Sequence, residues 1–140
     1  MNQMKDRYLF KAKTCNGEWV SGFLHCKENK WYISNKAGAP FAFEVRPDTI
    51  CQCTGMTDEN GHLIWENDIV AFLDTYSTEG GLAEASCKGK VVWDDETLSF
   101  QVTGRLSAES YEVLDDCCVR GNIFDSPDWG CEICQELQQK

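Results

Sequence analysis

The stretch Cys53-Thr-Gly-Met-Thr-Asp-Glu-Asn-Gly-His-Leu-Ile-Trp-Glu-Asn-Asp-Ile-Val70 constrains the fold of this 140-residue chain more than any other. Asn60-Gly61 is the dipeptide that best tolerates the positive φ angles of a tight hairpin. Leu63 to Trp65 is apolar and partly branched. A polar corner, Glu66-Asn67-Asp68, follows it, and then a second apolar run, Ile69-Val-Ala-Phe-Leu73. Strand, turn, strand, corner, strand is the pattern of a β-meander. It sets a fold class and names no reaction.

The rest of the chain extends that reading. Strands are expected over residues 8–12, 18–24, 30–34, 41–46, 63–65, 69–73, 89–93, 98–102 and 119–124. Trp31-Tyr32-Ile33 is β-prone through its aromatic and branched side chains. Asn16-Gly17 is a second hairpin signal, and residues 35–40 read as a loop. Residues 75–87 contain Gly80-Gly81 and no apolar period, which predicts a long connecting loop. Asp94-Asp95-Glu96 is a further turn. Ser107 is an incomplete helix cap, with Ser110 in place of the acidic partner, and Leu106, Tyr111 and Leu114 fit one face of a short helix.

Short strands separated by polar corners indicate a mainly β protein: a small SH3-like barrel with additional N-terminal strands and at most one or two short helices. The SH3-like element is a fold-level analogy and brings no function with it. Pro47-Asp48 marks a joint. It divides the chain into an N-terminal β subdomain (1–47), a barrel subdomain (48–127) and a C-terminal tail (128–140).

Net charge is −10 and unevenly spread. Residues 1–50 carry eight Lys/Arg against five Asp/Glu, and residues 51–140 carry five against eighteen, giving +3 and −13. The overall sign argues against a general grip on nucleic-acid phosphates. A solvated acidic surface is the plain explanation of the second figure. No run reaches the ~20 apolar residues of a membrane helix, and the first residues lack the apolar core of a signal peptide. A cytoplasmic location in a bacterial cell is therefore expected. Nine cysteines would suggest a disulfide frame in a secreted chain. In a reducing cytosol, Cys51, Cys53 and Cys117 instead read as small apolar residues within β-prone runs.

The candidates for chemistry are few. Cys131-x-x-Cys134 has the spacing of half a zinc site, but Cys117-Cys118 offers poor geometry for the other half, and the pair reads as two unpaired thiols in the tail. Asp58-Glu-Asn-Gly61 places its glycine too early for a calcium loop. His25 beside Cys26 makes no dyad, because neighbours on a strand point to opposite faces. His62 is expected to be exposed just past the turn. Glu66 and Asp68 are close enough for an acid–base pair, but carboxylates in such a corner ordinarily bind backbone N–H groups. No metal and no cofactor is expected. Trp129, in a polar tail, is the tryptophan most expected at the surface.

The central stretch also resembles the signature of the YopX family, small proteins of phages and prophages. The shared residues are Thr54, Gly55, Asp58, Asn60, Gly61, Ile64, Glu66, Asp68, Ile69 and Val70. The chain departs at Cys53, where tyrosine is usual, and at Asn67, where glycine is usual. Asparagine enters the left-handed region most easily after glycine, so the corner survives. Met4-Lys-Asp-Arg-Tyr-Leu-Phe10 and Trp19-Val-Ser-Gly-Phe-Leu24 resemble the family's first strands. Val119-Arg-Gly-Asn-Ile-Phe-Asp-Ser-Pro127 is similar to its closing motif, with Gly121 and Asn122 in place and Arg120 a departure. The likeness covers about residues 4 to 127. It implies a mostly β fold and a phage or prophage origin, and it brings no catalytic residue.

Three functional readings follow. The first is a non-catalytic binding or adaptor module acting on a host or phage protein, with self-association also open. The second is nucleic-acid binding through the basic N-terminal third. There Lys5, Arg7, Lys11 and Lys13 share one parity along a strand, and Trp31 and Tyr32 are candidates to stack bases. The third is an enzyme resting on Glu66 and Asp68.

Overall fold

A computed structural model describes residues 8–34, 42–103 and 117–129. The protein is mainly β and divides into two compact units, residues 1–55 and 56–140. The second unit begins within strand β5 (Cys51–Thr57).

The first unit is an antiparallel sheet in the order β4-β3-β2-β1-β5. Its members are β1 (Phe10–Lys13), β2 (Trp19–Lys27), β3 (Lys30–Ser34) and β4 (Ala42–Val45). Asn16-Gly17 turns β1 into β2 as the sequence predicts: Gly17 has φ 84° and the amide of Thr14 donates to the carbonyl of Glu18 at 2.9 Å. The β2–β3 turn places Glu28 and Asn29 at φ 53° and 67°, the two positive angles of a two-residue hairpin. One sheet face is apolar. Ala12, Ile33 and Val45 are buried there, with Phe10, Val20, Leu24, Trp31 and Ile50 packed against them. Pro47–Thr49 forms a single 3-10 turn, where the proline's fixed φ and missing N–H are tolerated. Thr49 ties the turn to β1: its hydroxyl donates to the carbonyl of Arg46 at 2.7 Å and accepts from the amide of Lys13 at 2.8 Å.

The second unit opens with the hairpin from β5 to β6 (Leu63–Trp65). It continues through β7 (Asp68–Thr78), β8 (Gly81–Asp94), β9 (Ser99–Val102) and β10 (Cys118–Asn122). Its core gathers Ile64, Val70, Phe72, Val91, Phe100, Val102 and Cys117. Trp93 meets Phe100 edge-on, with ring centres 5.0 Å apart. Gly89 lets β8 and β9 approach closely, since a Cβ there would lie 1.9 Å from the carbonyl oxygen of Thr103.

Two expectations are corrected. Among the described residues the small barrel is not closed: the order β10-β7-β8-β9 is that of an open sheet. β10 pairs with Asp68–Ala71 of β7 and β9 with Val91–Asp94 of β8, and among the described residues β10 and β9 do not pair with each other. The connecting loop expected over residues 75–87 is instead the outer half of a ribbon, paired without a break from Ile69↔Lys90 to Thr78↔Gly81. Its two large apolar residues, Tyr76 and Leu82, are both exposed and lie on opposite faces, so no apolar period marks the strands. The helix expected around residues 106–114, the loop at 35–40 and the tail beyond Trp129 lie outside the described residues. No helix among the described residues is long and apolar enough to cross a membrane.

Candidate functional site

Asp58 is the hub of the second unit. It closes a three-residue hairpin in which its carbonyl accepts from Gly61 at 3.0 Å and its amide donates to the carbonyl of His62 at 2.8 Å. Gly61 alone takes the positive angle, φ 83°, while Asn60 does not, so the turn is a type I turn ending in a left-handed glycine. The Asp58 carboxylate is filled by backbone donors. Oδ1 accepts from the amides of Asn60 at 2.9 Å and His62 at 2.8 Å. Oδ2 accepts from the amide of Val119, 61 positions along the chain, at 2.9 Å. Asn60 Nδ2 reaches Cys118 Sγ at 3.3 Å, and the amide of Glu59 donates to the carbonyl of Cys117 at 3.0 Å. One side chain therefore fastens the central motif to the closing one.

Burial pushes the Asp58 carboxyl up. The three backbone donors and the nearby His62 outweigh it and hold the group below its ordinary value. His62 Nδ1 lies 3.6 Å from Oδ2, and its side chain is exposed as expected.

The second corner follows the same logic. Asn67 takes φ 71°, the left-handed angle its identity suggests. Its amide donates to Val91 at 2.8 Å, and its carbonyl accepts from Ile123 at 3.1 Å. Asp68 is buried, and its Oδ2 accepts from the amide of Trp65 at 2.9 Å. Asn122 stands opposite Asp68 in the register. Its Oδ1 accepts from the amides of Phe124 and Asp125 at 3.0 and 2.9 Å, and its Nδ2 donates to Asp125 Oδ2 at 3.0 Å. Gly121 follows the bulge in β10 at φ 151°. Thr54 is buried, Gly55 takes φ 82°, and Glu66 is half-buried in the corner.

In the first unit, Lys11 and Lys13 share a face, with their Nζ atoms 4.8 and 5.4 Å from the centre of the Trp19 ring. Tyr32 lies on that face, stacked on His25 with ring centres 5.6 Å apart. Trp31 does not. It packs with the apolar core on the opposite side. Lys5 and Arg7 lie outside the described residues, as do Cys131 and Cys134. Sequence reasoning missed Trp19 and Phe23 as members of the aromatic face. Parity along β2 was the available signal, because residues 19, 21, 23 and 25 must share a side. Their register partners Lys13, Lys11, Ser34 and Tyr32 lie on that same side.

Cys51, Cys53 and Cys117 are buried, as their apolar reading requires. Among the described residues, no group of three or more His, Cys, Asp and Glu side chains is placed to hold a metal ion. Trp129 is half-buried beside Lys88, Arg120 and Pro127. No curated protein matches the chain. The family model described as YopX protein matches residues 1–129. That match spans both the hairpin built on Asp58 and the closing strand it holds, and the chain belongs to the YopX family.

Proposed function

We propose that this YopX-family chain is a phage-type, non-catalytic binding module that acts on a host or phage protein. The observation that carries the reading is the β7–β8 ribbon. Beyond Ala71 and Lys88, no further strand pairs with it among the described residues. Leu73 and Leu82 are 63% and 78% exposed, and the register places them on one face. That face continues at its root into a cleft lined by Glu59, Ala71, Ser86, Lys88, Cys118 and Arg120. A two-stranded ribbon is marginal in water by itself, and exposed apolar side chains on it favour a protein contact. The strongly acidic charge of the unit favours a partner whose apolar contact is rimmed by cations.

The uses of the signature side chains also support a binding role over catalysis. Asp58, Asp68 and Asn122 each hold backbone amides, and a reaction at Asp68 would first have to release the corner it closes.

The test is capture of the tagged chain from bacterial host cells with and without nuclease, set beside a Leu73→Asp/Leu82→Asp double variant. A protein retained by the wild type and lost by the variant is the expected result, and its binding should weaken as salt rises. Identical captures by both chains, or partners that vanish with nuclease, would reject the ribbon as the docking surface. Both positions are exposed, so the variant should melt within about 0.5 kcal/mol of the wild type.

A further inference from the structure

We infer that the outer face of β1, β2 and β3 in the first unit binds single-stranded nucleic acid, stacking bases on its aromatic rings and pairing phosphates with its lysines. The face is defined by register. Lys13 pairs with Trp19 and Lys11 with Ser21 between β1 and β2. Phe23 pairs with Ser34, His25 with Tyr32 and Lys27 with Lys30 between β2 and β3. All of these lie opposite the buried Ala12 and Ile33 and the partly buried Leu24, since neighbours on a strand alternate sides.

The face is open. Phe23 is 39% exposed, and Ser21, His25, Lys27 and Lys30 are exposed around it. At about 3.3 Å per residue, Trp19 and Phe23 stand roughly 13 Å apart along β2. The stacked His25–Tyr32 pair continues the row. That length suits two or three unstacked bases.

Charge selects the same occupant. Lys11, Lys13, Lys27 and Lys30 lie on this face against one register carboxylate, Glu44 opposite Tyr32. Glu18 and Glu28 sit at the flanking turns. The net charge of −10 for the whole chain does not decide a contact of this size, because exposed charges beyond about 8 Å are largely screened at physiological salt. Two ammonium groups lie within 5.4 Å of the Trp19 ring centre. A base stacked there would carry its phosphates beside two cations. An acidic peptide would use the lysines and leave the rings idle, and a duplex hides the base faces that the rings would stack on. Single-stranded nucleic acid uses both sets of groups.

The experiment is fluorescence anisotropy with a short dye-labelled oligothymidylate at low salt, using the full chain. Saturable binding that weakens as salt rises is expected, with a duplex of equal length and poly-glutamate each bound about tenfold more weakly or worse. Phe23→Ala should weaken binding at least about fivefold by removing one stacking surface. Ser21→Glu should weaken it comparably. That position is exposed and faces Lys11 across the strands, so the new carboxylate gains a cross-strand partner and leaves the fold intact. Thermal melts of both variants check that they fold. Absence of binding at low salt would overturn the proposal. So would equal affinity for duplex or poly-glutamate, or unchanged affinity in a folded Ser21→Glu variant.

Discussion

The two units use the same kinds of side chain in opposite ways. In the second unit the family-signature polar groups turn inward and hold backbone. Asp58, Asp68 and Asn122 are all buried, and each accepts at least one main-chain N–H. In the first unit the buried cluster is three aliphatic residues, Ala12, Ile33 and Val45, and Lys11, Lys13, Trp19, Phe23, His25 and Tyr32 line the opposite sheet face. The difference teaches where family resemblance and recognition part company. A sequence signature can be built from residues that secure a corner, and such residues are used up in the fold rather than offered to a partner. The basic and acidic halves of the charge map follow the same division, at +3 for residues 1–55 and −13 for residues 56–140, since residues 51–55 carry no charge.

The sharpest way to break the comparison is at Asp58. Asp58→Ala leaves three backbone N–H groups without their acceptor, which should cost about 3 to 5 kcal/mol in urea unfolding. Asp58→Asn keeps the shape and part of the accepting capacity, and its loss should be smaller. The ionised form carries a pH signature. Because the folded carboxyl is held below its unfolded value of about 3.9, its contribution is complete above that value and is lost as pH falls through the folded value. The stability gap between wild type and Asp58→Asn should therefore be constant from neutral pH to about pH 5 and narrow below about pH 4. A gap that does not change with pH would mean the charge plays no part and the bonds alone matter.

Next in size are two glycines, one per unit. A Cβ at Gly89 would meet the carbonyl oxygen of Thr103 at 1.9 Å and Val102 Cγ1 at 2.7 Å. A Cβ at Gly22 would meet the carbonyl oxygen of Ser34 at 2.0 Å, on a backbone with φ 156°. Backbone cannot retreat as a side chain can, so each substitution to alanine should destabilise by about 2 to 3 kcal/mol. Hydrogen exchange separates them: Gly89→Ala should lower protection in β8 and β9, and Gly22→Ala in β2 and β3. If either variant melts like the wild type, the close approach at that strand pair is not maintained in solution.

Local chemistry made much of this legible in the sequence. Lys30–Ser34 and Leu63–Trp65 form strands with the bounds their composition suggests, and Asn67 supplies the left-handed corner. The ribbon at residues 75–87 is not legible, because its two large apolar residues, Tyr76 and Leu82, fall on opposite exposed faces and leave no apolar period to read. Nor is the bond from Asp58 to Val119, since nothing local to either residue encodes a partner 61 positions away. The adjacency of Trp31 and Tyr32 suggested one aromatic site. The pleat separates them, and Tyr32 joins Trp19 and Phe23, which the turn at Asn16-Gly17 aligns with the lysines of β1.

The smallest expected effects sharpen the comparison through two turns. Glu28 at φ 53° in the first unit and Leu98 at φ 54° in the second hold the left-handed conformation without the residue types that favour it. Both are exposed, so replacement by asparagine removes strain and disturbs little packing. Each should gain about 0.5 to 1 kcal/mol in thermal or urea unfolding. Leu98→Asn should gain more, because leucine has no polar group to bond locally in that region. Their consequences for recognition differ. Leu98→Asn changes no charge and should leave oligothymidylate binding as it is. Glu28→Asn removes a carboxylate between Lys27 and Lys30, so it should tighten that binding at low salt by about twofold, and the gain should fade as salt screens the turn. A stabilised Glu28→Asn variant with unaltered affinity would place the binding face nearer Trp19 than the β2–β3 turn.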